Sequence, residues 1–372
     1  MSDIRKKIET IIKDGKKSRL FSFASLLFLI SLLYSGLVKL RASLYQKGIL
    51  KTKKLPVKVI SVGNLTVGGT GKTPMIIYLA NLLNRLGYQL AIVSRGYKGS
   101  AEKTGGIVSD GKTLLMGPDA AGDEPCMLAM RLRHIPVLVG QNRFEMGMLA
   151  IRKFSPDVIL LDDAFQHIRL ARDINLILMD HRHPFGNGYL LPRGPLREPI
   201  SALSRGHALI LTRHDPAFSQ ASPFSFSTPI FRCTHAPHIF KVIRGKDTKQ
   251  SPFPKDSLLQ EPDASFLKGQ NAFAFSGIAR NSDFRDTIKH FGCNLCGFSE
   301  YPDHHPYSAD DLANISCLAG ESGADVLMTT EKDYARIPSD ITWPMDLVVI
   351  GISISFGGDE KAFTHFIKHS TH

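Results

Sequence analysis

The chain has 372 residues, 43% hydrophobic and 22% charged, a globular composition that excludes an intrinsically disordered chain and suffices for one large domain or two ordinary ones. A formal net charge of +12 favours phosphates, acidic lipid headgroups or nucleic acid, and no basic-aromatic repeat or zinc-finger spacing argues for nucleic acid. Five sparse cysteines do not read as a disulfide framework, and Cys293 and Cys296 lack the second pair that a four-thiolate metal site needs.

The first element in chain order is the uncharged apolar run from Leu20 to Val38. It lies at the lower end of the roughly 17–25 residues that cross a bilayer. A cleaved signal peptide would have a shorter apolar core nearer the start, and a soluble protein would bury such a run as a core helix. Basic residues flank both ends, including Lys13, Lys16, Lys17 and Arg19 before it and Lys39, Arg41, Lys47, Lys51, Lys53 and Lys54 after it. Two membrane arrangements follow: one span, or a helix embedded from one face. Basic flanks on both sides suit the embedded helix, and either way the second cluster faces the cytoplasm.

A short apolar strand over residues 57–62 leads into a glycine-rich loop, Gly63 to Pro74, and then a helical pattern with Ile76, Leu79, Ala80 and Leu83 on one face. Strand, loop and helix are the setting of a phosphate-binding loop. Glycine lets backbone N–H groups approach phosphate oxygens, and the helix N-terminus adds partial positive charge. Gly68, Gly69, Thr70, Gly71, Lys72 and Thr73 form the expected nucleotide cradle. Lys72 reaches the β- and γ-phosphates, and Thr73 ligates Mg²⁺. Thr66 stands where the general pattern has its first glycine.

Beyond Gly87, a helix stop by its residue type, apolar runs alternate with helical patterns. Strands are expected at 90–93, 137–139, 158–161, 175–179 and 208–211, with helices beginning at Asp123 and Phe144. The alternation predicts a parallel sheet with helices on both faces. The strand at 158–161 ends in Asp162-Asp163, and carboxylates beyond a strand's carboxyl end can hold Mg²⁺ beside the loop. Residues 214–230, rich in Pro, Ser and Phe, suggest a boundary. A second α/β unit follows, with strands at 272–275 and 326–329 and helices at 283–291 and 308–318.

The stretches Gly63 to Pro74, Ser94 to Gly99, Gly122 to Pro125, Asp162 to His167, Arg193 to Glu198 and Thr329 to Asp333 resemble, in order, the signature set of tetraacyldisaccharide 4'-kinases, the lipid A 4'-kinases. Ala164 stands where that family more often has Gly. The resemblance covers roughly residues 57–335. It implies a P-loop NTPase-like parallel-sheet domain, a smaller second α/β domain and an N-terminal membrane helix, divided at 1–38, 39–213 and 214–372 with a cleft between the two larger units. It implies transfer of phosphate from Mg-ATP to the 4'-hydroxyl of a lipid disaccharide 1-phosphate, at the cytoplasmic face of the bacterial inner membrane, with no obligate protein partner.

A sugar hydroxyl needs a base, and the resemblance places that base in the Gly122–Pro125 motif and pairs it with a histidine from the second domain. Asp123 is then the base and His304, with His305 as alternative, its partner. Read from its residues alone, Asp123 is an ordinary helix N-cap. Arg143 and Arg197 suit forked contacts to phosphate. Glu124, Gln166 and His167 are expected to complete the metal, water or substrate shell, and Lys332 and Asp333 to touch the nucleotide. Two other classes use similar parts. A regulatory or partitioning ATPase would turn over ATP regardless of a lipid acceptor, and a soluble small-molecule kinase would work without residues 1–38.

Overall fold

A computed structural model of the chain describes residues 10–12, 22–215, 228–246, 264–338 and 341–371. The N-terminal apolar run forms helix α1, Phe23–Gln46, whose first turn is closed by the Ser22 hydroxyl accepting from the Ser25 N–H. The helix continues past Val38 into the basic flank, while residues 20 and 21 of the expected run lie outside the described residues. Among the described residues it is the one helix long and apolar enough to cross a membrane. Only Leu27 and Ser31 are buried; Leu26, Leu29, Leu33 and Leu37 are exposed.

The first sheet is built from β1 (Lys58–Asn64), β2 (Leu90–Ser94), β3 (Gly106–Ser109), β4 (Val137–Val139), β5 (Val158–Asp162), β6 (Ile174–Asp180), β7 (Ala208–Thr212) and β8 (Ile230–Arg232). Its order is β3-β4-β2-β5-β1-β6-β7-β8, parallel except for β3 against β4. Helices α2 (Lys72–Arg85), α3 (Pro118–Ala121), α4 (Asp123–Arg131) and α5 (Arg143–Phe154) connect these strands. Successive strand residues point to opposite faces. Ile60, Val62 and Leu160 therefore join one core with Met75, Leu79 and Leu128, while Val59, Ile159 and Leu161 join another with Ala150. Burial on both faces explains the continuous apolar reading of β5 and β6. It also leaves the carboxyl ends of β1 and β5 side by side at the centre of the sheet.

The second sheet has the order β11-β10-β12-β13-β9. Its strands are β9 (Thr234–Ile243), β10 (Asn271–Ser276), β11 (Asn294–Glu300), β12 (Val326–Thr330) and β13 (Leu347–Ser355), with β9 antiparallel to β13 and the rest parallel. Helix α6 (Asn281–His290) covers one face through Phe284 and Ile288, and α7 (Ala309–Glu321) the other through Leu312, Ile315 and Ala319. The short helix α8 (Glu331–Tyr334) follows β12 directly. All five cysteines are free.

The chain passes between the sheets twice. It enters the second sheet from β8 into β9 and leaves it through the paired β13, after which α9 (Glu360–Thr371) packs on the first core. The split expected at residues 213 and 214 assigns β8 and α9 to the second unit, but β8 hydrogen-bonds to β7 and α9 buries Phe363 and Ile367 in the first core. Strands β3, β8, β9, β11 and β13 and helix α9 have no counterpart among the expected elements. In β9, Pro237 and two histidines break the apolar pattern, and an edge strand tolerates this because one row of its backbone groups is unpaired.

Phe363 is fully buried, stacked on Phe356 at 4.1 Å between ring centroids and edge-on to Phe231 at 5.2 Å. Phe363→Ala is expected to cost about 3–5 kcal/mol of stability, read as a lower denaturant midpoint. An unchanged midpoint would show that α9 is not integral to the first core.

Candidate active site

The phosphate-binding loop is held by its own side chains and by a neighbouring loop. Asn64, the last residue of β1, donates through Nδ2 to Thr70 Oγ1 at 2.9 Å, and the Val67 N–H donates to the Pro195 carbonyl at 2.8 Å. Thr66 pairs with Leu196 in an antiparallel bridge, an extended conformation that needs no glycine. Gly71, the N-cap of α2, has φ +84°, and a Cβ there would meet His235 Nε2 at 2.5 Å. His235, on β9, thus brings the second sheet against the loop. The backbone N–H groups that open α2 lack intrahelical partners and carry the helix's partial positive charge, which suits an anion.

Two carboxylates at the end of β5 sit in different electrostatic states. Asp163 accepts from Arg197 Nη1 at 2.9 and 3.0 Å and lies 3.7 Å from Lys72 Nζ. Burial pushes its carboxyl up, but Lys72 and Arg197 outweigh burial and hold it below the usual range. Asp162 accepts from Ser94 Oγ at 3.0 Å through Oδ2, while its buried Oδ1 has no partner. Burial, then the charges of Glu124 and Asp163, push its carboxyl up to about 7. An orphaned carboxylate oxygen among acidic neighbours, in the cleft that Thr73 also lines, is a hard-oxygen donor set that fits Mg²⁺. Among the described residues no group of three or more His, Cys, Asp or Glu side chains is arranged as a metal cage. Mg²⁺ needs none, because it keeps waters and phosphate oxygens in its shell.

Across the cleft, Asp123 opens α4. It does not cap the helix with its side chain; Gly122 occupies the N-cap position without a side-chain bond. Asp123 Oδ2 lies 2.7 Å from His304 Nδ1 and accepts from Arg336 Nε at 2.7 Å. Burial pushes the Asp123 carboxyl up, but the His304 hydrogen bond and the Arg336 guanidinium outweigh it, so the group stays below the usual carboxylate range. Lys332 Nζ is 3.4 Å from His304 Nε2, and because an ionised Asp123 carboxylate can only accept, the imidazole proton between the two lies on Nδ1. His304 rather than His305 makes the pairing: His305 hydrogen-bonds Asp311 at 3.0 Å and stacks on Tyr301.

These groups line one cleft of about 2320 Å³, with Gly68, Gly69, Arg143, Gln166, His167, Arg197, Glu124 and Lys332 among its walls. Arg143 is buried, with Nη1 on the Gln141 carbonyl at 3.2 Å and Nε unpartnered. His167 is pushed down to about 4 by burial and the nearby Arg143 and Arg172, and is neutral. Two expectations are corrected. Asp333 cannot touch a nucleotide, because it is fully buried and its carboxylate accepts from the Gly277 N–H, Tyr307, Thr330 and Arg336. Gln166 does not offer a free oxygen to a metal: Nε2 donates to the Asn64 carbonyl at 2.9 Å, and Oε1 faces Arg197 at 3.4 Å. Arg336 was not foreseen; its one sequence signal is the three-residue spacing from Asp333 in the motif that opens α8.

A glycine cradle with its lysine, a buried strand-end carboxylate and a carboxylate–histidine pair facing them define a P-loop phosphotransferase. The chain belongs to the tetraacyldisaccharide-1-P 4'-kinase family, whose model matches residues 23–372. It is 42% identical over 369 residues to the tetraacyldisaccharide 4'-kinase of Desulfatibacillum aliphaticivorans, covering 99% of this chain and 98% of that one. The corresponding protein of Syntrophus aciditrophicus is 38% identical over 382 residues, covering 98% of each. The crystal structure of LpxK from Aquifex aeolicus in complex with ATP superposes with a TM-score of 0.73 at 34% identity, covering 94% of this chain and 100% of that one.

The raised Asp162 carboxyl keeps a proton in the folded chain at pH values where the unfolded chain has lost it. Its contribution to stability is therefore full at low pH and is lost as pH rises through about 7. A divalent cation competes with that proton. Mg²⁺ is expected to raise the melting temperature more at about pH 8 than at about pH 6, and Asp162→Asn should remove the difference. A Mg²⁺-induced shift independent of pH in both proteins would place the ion elsewhere.

Proposed function

We propose that the cleft passes the γ-phosphoryl group of ATP to the 4'-hydroxyl of a tetraacyldisaccharide 1-phosphate, with Asp123 as the base and His304 as its partner. The observation that carries this reading is the 2.7 Å pairing of Asp123, from the first sheet's domain, with His304, from the second, across the cleft that the phosphate-binding loop lines. The sugar oxygen forms a bond to the γ-phosphorus as the bridging bond to the β-phosphate breaks and ADP leaves. The hydroxyl proton passes to Asp123. His304 holds the carboxylate through Nδ1–H.

Lys72 and the N–H groups around Gly68, Gly69, Thr70 and Gly71 cradle the triphosphate. Lys72 lies by Asp163, so in the resting site its charge is balanced until phosphate replaces that partner. Thr73 and Asp162 would hold Mg²⁺, with Glu124 and Asp163 alongside, and the ion supplies neutralisation of phosphate charge when bound. Arg143, with its unpartnered Nε, is suited to the transferred group. Arg197 and neutral His167 line the side of the cleft next to α1, where Arg41 and Tyr34 add polar contacts for an amphiphilic acceptor. Lys332 lies beside the Asp123–His304 pair and Asp303 rather than apart from it, so its task is charge balance at the pair.

The nucleotide-binding domain comprises β1 to β8, α2 to α5 and α9, and the second domain β9 to β13 and α6 to α8. Helix α1 anchors the enzyme at the cytoplasmic face of the bacterial inner membrane. Support comes from its exposed apolar face and from its contacts with the body: Phe28 edge-on to Tyr189, the Tyr34 hydroxyl donating to the Arg197 carbonyl at 2.8 Å and Arg41 donating to the Gln166 carbonyl at 3.2 Å. A helix tied to the body at Phe28, Tyr34 and Arg41 fits embedding from one face better than a free span.

Incubation with γ-labelled ATP and the purified disaccharide 1-phosphate is expected to put label on the distal sugar, while ATP consumption without lipid labelling would refute the reading. Lys72→Ala is expected to slow transfer by roughly 10²–10³-fold or more, as for loss of one charge-stabilising donor. Transfer at the parent rate would remove Lys72 from the reaction.

A further inference from the structure

Arg336 is more enclosed than either member of the pair it touches. Its side chain is 5% exposed, against 17% for Asp123 and 21% for His304. It makes four contacts: Nε donates to Asp123 Oδ2 at 2.7 Å, Nη1 to the Gly277 carbonyl and to Asp333 Oδ1 at 3.3 Å each, and Nη2 lies 3.4 Å from His304 Nδ1. The far side of the guanidinium is fixed. Asp333 is held by Thr330, Tyr307 and the Gly277 N–H, and a Cβ at Gly277 would meet the Pro302 carbonyl at 2.9 Å. A planar fork seated in this way has one orientation.

Arg336 and His304 both engage Oδ2 of Asp123, and among the described residues no hydrogen bond reaches Oδ1. Two donors on one oxygen fix the carboxylate's rotation and leave the other oxygen free to accept a proton. The same short segment also holds the opposite end of α4: Glu331 lies 3.4 Å from Arg131 Nε, and Arg131 Nη1 is 3.0 Å from His238 Nε2. Both ends of the helix that carries Asp123 are thus tied to the second domain.

We infer that Arg336 is a positioning residue for phosphoryl transfer, turning Asp123 so that Oδ1 faces the acceptor hydroxyl when the two domains are docked. The inference rests on the reading of Asp123 as the base. The alternative role, a docking contact alone, belongs equally to Glu331, which supplies the control.

The experiment uses the full-length enzyme in detergent with ATP and lipid acceptor. Arg336→Met is expected to lower kcat by roughly a hundredfold, the loss typical of a misplaced reacting group, with KM for ATP unchanged within about threefold. Arg336→Lys, which keeps the charge and one donor, should recover part of kcat. Glu331→Gln should stay within about threefold of the parent kcat. Combined with Asp123→Asn, Arg336→Met should add no more than about threefold to the loss caused by Asp123→Asn alone, because both remove one function. Additive losses, or equal losses in Glu331→Gln and Arg336→Met, would overturn the inference. A parent-like Asp123→Asn would instead sink the base itself. If Arg336→Met fails to fold by thermal melting, the Arg336→Lys cycle with Asp123→Asn decides by the same criterion.

Discussion

The structure depends on how three buried or half-buried carboxylates are balanced by cations. Asp162, Asp163 and Asp123 all face the cleft, and burial acts on each in the same direction. What differs is the company. Asp163 has Lys72 and Arg197, Asp123 has His304 and Arg336, and Asp162 has a serine hydroxyl and a share of Lys72 that burial and its acidic neighbours outweigh. Uncompensated carboxylates in so confined a volume would repel one another strongly, so each partner is a condition of the fold as well as of the chemistry. The one left unbalanced marks where a cation belongs.

Those partners come from both domains, so the site is complete only when the two are docked. Asp180, at the end of β6, adds a third tie: it accepts from Arg213 at 2.9 Å and from Arg280, beside α6, at 3.1 Å. His235 against Gly71 and Arg131 between Glu331 and His238 extend the contact along the cleft. These ties are polar, beside the apolar contact that Ile354 of β13 makes with the first core. Exposing such charged groups to water costs less than exposing a hydrophobic core.

The parts of the site legible in the sequence are those whose chemistry is local. The run Gly68 to Thr73 carries its meaning in its own spacing, and Asp162-Asp163 is readable because four apolar residues place it at a strand end. Asp123 and His304, 181 positions apart, meet only through the tertiary fold. Residue patterns alone leave Asp123 as a helix cap, and family resemblance was needed to pair the two. Arg336 and the burial of Asp333 are invisible at that level, because nothing in a linear motif distinguishes a charge that faces a ligand from one locked beneath it. The fold shows the same division. Fully buried strands such as β5 and β6 announce themselves by apolar runs, whereas β9, an edge strand with Pro237, and α9, which returns to the first core from the end of the chain, are defined by distant neighbours.

One feature of the fold has a mechanical consequence. The chain crosses between the sheets at the start of β9 and the end of β13, and these two strands are paired to each other from Thr234 and Ser355 onwards. Both covalent links therefore lie in one narrow strap, so any separation of the two domains would have to turn about it. Such a turn would lift His304 and Arg336 away from Asp123 together, because both ride on the second domain, so the base and its two partners are assembled or dispersed as one unit.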